Sequence, residues 1–411
     1  MIKANNPVKI SDVAELITSG SRGWAQYYSD NGSAFLRMGN LSRKGVKLNT
    51  SNLKYVSLPS SSTEGKRTSL QVGDILVSIT AELGKIAYVR ELPTREAFIS
   101  QHVCLVRMKS EKINPEFVAY YMSSVETNNR LNRLNDAGAK AALNLGTISD
   151  FKLFVPPLTD QAHIAGVLRT WDEAIEKLEL LLAATIKRRS WTRSNLLSGK
   201  VRLANFSEPW ETVDLGQVIT EHGQNKKDGD EVFSVSVHKG LVNQIEHLGR
   251  SFSAANTDHY NRVLPGDIVY TKSPTGDFPL GIIKQSQTKK TVIVSPLYGV
   301  FTPETKALGI ILDSYFESPV TVKNYLHPLV QKGAKNTISI TNRRFLEGKL
   351  KLPRDPAEQE AIAQYILNDR SYVEGINKEI SALKRQKRGL MQKLLTGEWR
   401  VTASSQGKNS A

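Results

Sequence analysis

The chain has 411 residues, with 55 Lys or Arg against 40 Asp or Glu, a formal charge of +15. At 40% hydrophobic and 23% charged it has the composition of folded globular material, not of a disordered polycation, and its length predicts two or more domains. It has no apolar run of about 18 residues to cross a membrane. The start MIKANNPVKISD lacks the apolar stretch of a secretory signal. A lone cysteine, Cys104, excludes an internal disulfide framework and a Cys-rich zinc site, so a cytoplasmic protein is expected. The excess of positive charge points to a polyanionic partner, most often nucleic acid.

In chain order, residues 1–157 read as mixed α/β. The β-rich runs KYVSL (54–58), DILVSI (74–79), KIAYV (85–89) and HVCLVRM (102–108) are separated by turn signals. Cys104 falls inside an apolar run and reads as core. Asn114-Pro115-Glu116-Phe117 opens a short helix over 114–124. It is not an amino-methyltransferase tetrapeptide, because the second proline is absent and no methyl-donor loop precedes it.

Pro156-Pro157 marks the start of a long helix in 158–203. Ile164, Leu168, Trp171, Ile175, Leu178 and Leu182 keep a 4-3-4-3 spacing. The spacing weakens at Thr185, Arg189 and Thr192 before Leu196, and Gly199 sits at the stop. Residues 204–353 return to mixed α/β, with VFSVSV (232–237), DIVYT (267–271), GIIK (281–284), TVIVS (291–295) and YGVF (298–301). A further short helix is expected over 314–326, with Pro319 in its interior. A second long helix fills 354–401. Asp355 is its predicted cap, Pro356 its first turn, and Glu358 stands three residues after the cap. Its stripe runs Ile362, Ile366, Val373, Ile376, Ile380, Leu383, Leu390 and Leu394, broken only at Asp369 and Lys387. Gly397 ends it, and 402–411 has tail composition.

The chain repeats itself. Residues 160–203 and 358–401 align without a gap at an offset of 198. Gln161 matches Gln359, Ile164 matches Ile362, Leu196–Gly199 matches Leu394–Gly397, and Arg202 matches Arg400. Fainter echoes precede each helix: Gly73-Asp74-Ile75-Leu76 with Gly266-Asp267-Ile268-Val269, and Gly138-Ala139-Lys140 with Gly333-Ala334-Lys335. The order is domain, helix, domain, helix. Each helix is too long to bury its stripe in a globule of this size, so the two are predicted to pair as an antiparallel coiled coil about a pseudo-two-fold axis.

Catalytic motifs are missing. There is no G-x-x-x-x-G-K-[ST] and no strand-linked G-x-G-x-x-G. His102, His163, His222, His238, His247, His259 and His327 show no metal-ligand spacing. Glu82-x-x-Lys85 after Asp74 reads as a loop, not a nuclease cluster. The chain therefore reads as a binding module. Two similar domains on a rod match a duplex, whose half-sites recur about every 34 Å. Dissimilar domain sequences predict an asymmetric, interrupted target.

The pattern Pro156-Pro157-Leu158-x-x-Gln161-x-x-Ile164 closing on LLSGKVRL recurs as Glu358-Gln359-x-x-Ile362 closing on LLTGEWRV. Each copy follows a GDI-bearing domain. This resembles the specificity subunit of a Type I restriction–modification enzyme, over essentially residues 7–401. The chain departs from that pattern at Asp160 and at Pro353-Arg354-Asp355-Pro356. The resemblance implies a non-catalytic subunit with target recognition domains at 1–157 and 204–353 and conserved helices at 158–203 and 354–401. It also implies double-stranded DNA as ligand and two methylation subunits docked on the helices, using S-adenosylmethionine to methylate a flipped adenine. Two restriction subunits using ATP and magnesium would complete the assembly. This chain would hold no cofactor and no metal.

Base reading calls for polar and basic side chains on loops. The candidates in the first domain are Arg22, Arg37, Asn40, Arg43, Lys44, Ser78, Thr80, Lys85 and Lys140. In the second they are Lys226, Lys227, Ser236, His238, Thr271, Lys272, Ser273, Lys335 and Asn336. Trp24 and Tyr270 are expected to pack. The basic residues late in each helix, Lys187, Arg188, Arg189 and Arg193, then Lys384, Arg385, Lys387, Arg388 and Lys393, read as a solvated face or as contacts to phosphates or acidic partners. Other classes stay open on residues alone: a coiled-coil scaffold binding RNA or protein, and an enzyme with a cryptic nuclease or methyltransferase centre.

Overall fold

A computed structural model describes residues 7–59, 61–134, 142–245, 257–332 and 338–400. The chain divides into two compact units, 1–179 with 379–411, and 180–378. Each unit takes one domain, half of the first long helix, Leu158–Leu196, and half of the second, Pro356–Leu395.

In the first unit the main sheet is antiparallel, in the order Ala14–Ser19, Val103–Met108, Ile75–Ser78, Ile86–Tyr88. Ile75 and Val77 face a core shared with helix Pro115–Ser123. Leu76 faces a separate core against a second sheet. Both faces are covered, which is why this strand reads as an unbroken apolar run. The second sheet runs Tyr28–Ser29, Lys54–Val56, Ser33–Leu36, Ala97–Ile99, its last pair parallel. Cys104 is fully buried in the first core. Asn114 caps helix Pro115–Ser123 by accepting the Phe117 N–H at 2.9 Å. A short ribbon, Val8–Lys9 with Lys152–Leu153, pairs the chain entering the domain with the chain leaving it.

The second unit repeats the frame. Its main sheet runs Ile219–Glu221, Gly299–Pro303, Ile268–Tyr270, Ile283–Gln285, again all antiparallel. Its entry and exit ribbon is Glu211–Asp214 with Lys349–Leu352. Elsewhere it differs: two strand pairs, Phe233–Ser236 with Gly240–Asn243 and Asn261–Val263 with Val292–Val294, stand in place of the second sheet. The helix expected over 314–326 is in fact two, Lys306–Tyr315 and Pro319–Leu326. Proline lacks the N–H that would continue the first helix, and it serves instead as the opening residue of the second.

The repeated Gly-Asp-Ile motif is a turn lock. Gly73 and Gly266 hold φ at 98° and 94°, in the region only glycine adopts without strain. The following carboxylates are buried. Asp74 accepts the N–H of Gln71 at 2.8 Å and Asp267 that of Leu264 at 2.6 Å. Asp74 also takes both arms of Arg107 at 2.8 Å, while Asp267 binds Thr302 and His222.

The long helices meet antiparallel within each unit. In the first, Ile164 and Leu168 near the start of one share a core with Leu394 and Leu395 at the end of the other. In the second, Ile362 and Ile366 share a core with Leu196 and Leu197. The apparent breaks in the stripe are paired charges. Lys387, only 5% exposed, binds Asp172 in the first unit, and Asp369 binds Arg189 at 3.1 Å in the second. Thr185, in the weak stretch of the first helix, is buried.

Asp355 caps the second helix, accepting the Ala357 N–H at 2.8 Å. Glu358 does not close a capping box as its spacing suggests. It is buried and receives Arg202 at 2.6 and 2.7 Å and the Trp210 indole N–H at 3.1 Å. Gly199 and Gly397 end the helices at φ 69° and 75°. The matching glutamines do matching work. Gln161 donates to the Pro156 carbonyl and accepts from the Asn114 N–H. Gln359 donates to the Pro353 carbonyl and accepts from the Thr305 hydroxyl. Asn114 and Thr305 each cap the helix of their own domain. Among the described residues, no helix is long and apolar enough to cross a membrane.

Candidate nucleic-acid interface

Each main sheet ends in a hairpin that follows the Gly-Asp-Ile turn, residues 78–85 in the first unit and 271–282 in the second. The hydroxyl four residues after the aspartate closes both. Ser78 Oγ accepts the Lys85 N–H at 2.8 Å, and Thr271 Oγ1 accepts the Ile282 N–H at 3.0 Å. Ser78 Oγ also donates to the Glu82 carbonyl. Both side chains are buried, so these two candidates hold the loops and do not line a surface. Asn40 is a third such case. It is 2% exposed, donates to the Asn49 carbonyl at 2.9 Å and accepts the Arg37 N–H at 2.8 Å.

The hairpins bear strain. Ala81 and Lys272 sit at φ 57° and 58°, left-handed positions that cost a side-chain-bearing residue about 1 kcal/mol or more. Gly281 lets the second loop close, since a Cβ there would fall 2.8 Å from the Lys272 nitrogen. Burial pushes the Lys272 ammonium pKa down, against the opposing pull of Glu221. Ser273 beside it is exposed.

The remaining candidates scatter. Arg22 is exposed on a bend. Arg37 is half-buried, with its Nε enclosed and lacking a partner among the described residues. Thr80 bonds the imidazole of His102 at 2.7 Å, and Lys85 is paired to Glu82. Lys226 lies 3.6 Å from Asp258, Lys227 and His238 are exposed, and Ser236 accepts the Lys239 N–H at 3.4 Å. Lys140, Lys335 and Asn336 lie outside the described residues. Trp24 and Tyr270 pack as expected: Trp24 lies 4.9 Å from Phe35, and Tyr270 stacks on Phe345 at 4.7 Å.

Arg43 and Lys44 belong to a larger feature, a cleft of about 1200 Å³ wholly inside the first unit. Lys47, Arg130, Lys384 and Arg388 also line it. Lys47 pairs with Glu176 and Lys384 with Glu179, while Arg130 covers the rings of Phe151 and Phe154. Sequence reasoning missed Lys47 and Arg130 because nothing in their spacing ties them to the long helices that line the same cleft.

Much of the basic cluster on the helices turns inward. In the second unit Arg189, Arg193 and Arg370 surround Glu317, and Arg370 also binds Asp313 at 2.7 Å. Burial pushes the Glu317 carboxyl up, but the guanidinium groups of Arg370, Arg189 and Arg193 more than reverse this and hold it below the usual carboxylate range. Lys187, Arg188, Arg385 and Arg388 remain exposed. Among the described residues, no cluster of His, Cys, Asp and Glu could hold a metal.

The α/β domain is thus duplicated, keeping its sheet order and varying its hairpins. Residues 3–185 match the type I restriction modification DNA specificity domain. Over 362 residues the chain is 24% identical to the putative type I restriction enzyme MjaX specificity subunit of Methanocaldococcus jannaschii, covering 81% of this chain and 80% of that one. Over 390 residues it is 23% identical to the type I restriction enzyme EcoBI specificity subunit of Escherichia coli, covering 82% and 77%. Its fold matches the crystal structure of a type I restriction–modification system S subunit from M. genitalium, with a TM-score of 0.59 at 14% identity, covering 96% and 97%. The chain thus carries a type I restriction modification DNA specificity domain over residues 3–185 and resembles type I specificity subunits over about four-fifths of its length.

Proposed function

We propose that the chain reads an asymmetric, interrupted DNA target, one half-site per recognition domain. The paired helices would set the spacer and dock two methylation subunits. The observation that carries this reading is one sheet order repeated in two units, with hairpins of different length and composition. A shared frame suits two similar grooves, and dissimilar loops suit different bases in them. A helix of 39 residues runs about 58 Å, ample to span one turn of duplex. The +15 charge favours phosphate binding. Leu180, Leu181, Ile186 and Trp191 are exposed on the first helix and give partners an apolar surface. In this reading S-adenosylmethionine belongs to the methylation subunits, and ATP with magnesium to two restriction subunits. The assembly works in the cytoplasm.

Replacing Lys272 tests the scheme. Lys272→Ala is expected to weaken binding only on DNA that carries the second half-site, measured by competition with each half scrambled in turn. Equal weakening on every DNA, with a salt slope lower by about one, makes Lys272 a phosphate contact instead.

A further inference from the structure

Two separate stretches of the first unit, the hairpin and the 100–102 turn, tie their polar side chains together. His102 lies between Thr80, whose hydroxyl is 2.7 Å from Nδ1, and Gln101, whose Nε2 is 3.1 Å from Nε2. An amide N–H can only donate, so His102 Nε2 accepts and Nδ1–H donates to Thr80 Oγ1. The Thr80 hydroxyl hydrogen and the second Gln101 amide hydrogen are left over as donors. Neither residue is buried, and His102 is exposed.

The backbone holds this array in place from three sides. The Ile79 N–H binds the His102 carbonyl at 3.0 Å, and Thr80 bridges to Ala142. Ala81, next in the hairpin, is one of the few strained residues. Gly20 packs so closely that a Cβ would lie 2.1 Å from the Ile99 carbonyl oxygen. That approach brings the loop bearing the exposed Arg22 to the Ser100–His102 turn. Two neighbours in this turn also carry enclosed oxygens that meet no partner among the described residues, Ser100 Oγ and Gln101 Oε1. Such orphans are rare in folded proteins and mark this turn as unusual.

We infer that Thr80, Gln101 and His102 form the base-reading edge of the first recognition domain. This rests on the DNA-reading function proposed above. The imidazole positions its two neighbours before DNA arrives, which lowers the entropy lost on binding. The free donors fit acceptors on the major-groove edge: N7 of a purine, O6 of guanine or O4 of thymine. Gln101 and His102 escape sequence inspection because HVCLVRM (102–108) reads as a strand and Gln101 only precedes it.

The test uses the full chain with its methylation subunits in cells, and modified-base sequencing of their DNA. The wild type should yield a motif in two parts; if it yields no defined motif, the DNA-reading function itself fails. Given a motif, His102→Ala, Gln101→Ala and Thr80→Val should each relax one position in one half by about tenfold or more, leaving the other half intact. A motif unchanged in all three variants overturns the assignment. If a variant abolishes modification, the purified complex is titrated against sites with either half scrambled. Equal weakening on both overturns the assignment, and loss confined to one half upholds it. His102→Gln keeps a hydrogen-bonding side chain and guards against misfolding. Its melting temperature should match the wild type while its base preference shifts.

Discussion

Asp172 ties the two helices of the first unit to each other and to their domain. Its carboxylate receives the Lys387 ammonium and the Tyr120 hydroxyl, the latter at 2.7 Å. Lys387 is 5% exposed and lies 5.3 Å from the centre of the Tyr120 ring. Asp172→Ala therefore removes the carboxylate partner of a buried cation, leaving it against the Tyr120 ring. Removing one partner of a buried pair costs about 3–5 kcal/mol. The Asp172 side chain is 22% exposed, so water replaces part of what is lost and about 2–3 kcal/mol remains. For a unit of about 200 residues each kcal/mol moves the melting point by about 2–4 °C, so a fall of roughly 5–10 °C is expected. Thermal unfolding of Asp172→Leu, Lys387→Leu and the double variant Asp172→Leu/Lys387→Leu, measured beside Asp172→Ala, completes a cycle. The double variant should recover most of the loss, because apolar residues of similar volume replace a buried pair at little or no cost. Additive losses in the double variant, or a shift under 2 °C for Asp172→Ala, would refute the pairing argument.

Two further outcomes follow from buried groups. Three arginines hold the Glu317 carboxyl below its ordinary range, so it stabilises the second unit above the unfolded carboxylate pKa of about 4.3, and that contribution is lost as pH falls through the folded value. Glu317→Gln should therefore melt lower than wild type at pH 7, with the gap closing below about pH 4; a gap that persists in acid contradicts this. Burial pushes the Cys104 thiol pKa up to about 12, so a thiol reagent at pH 8 should leave the native chain unlabelled and react fully in denaturant.

The parts legible in the sequence are those that periodicity encodes. The seam residues Ile164, Leu168, Ile362 and Ile366 are buried where the 3.5-residue stripe puts them, and both glycine stops hold positive φ. The strands around Ile75, Val103, Ile268 and Val292 stand where the β-rich runs lie. The polar members of the seam were legible only as interruptions. A one-dimensional stripe shows that Lys387 breaks it, but not that Asp172 waits opposite, because the register of an antiparallel pair depends on both helices at once. Pro319 was misplaced for a related reason: a proline within a helical pattern can kink a helix or open a new one, and packing decides which. The candidate interface was least legible. Ser78 and Thr271 sit in loops, yet the hairpins turn their hydroxyls inward. Side-chain direction in a tight turn follows backbone geometry, which spacing does not carry.

The ribbons at the base of each domain carry a consequence for how such chains diversify. Val8–Lys9 against Lys152–Leu153, and Glu211–Asp214 against Lys349–Leu352, bring the two ends of a reading domain side by side. A domain clasped at its own neck is a cassette. Another of similar frame can be spliced between the same two strands while the glutamine joints and helices beyond stay undisturbed. New vocabulary can then enter by exchange of whole inserts, without rebuilding the scaffold one residue at a time.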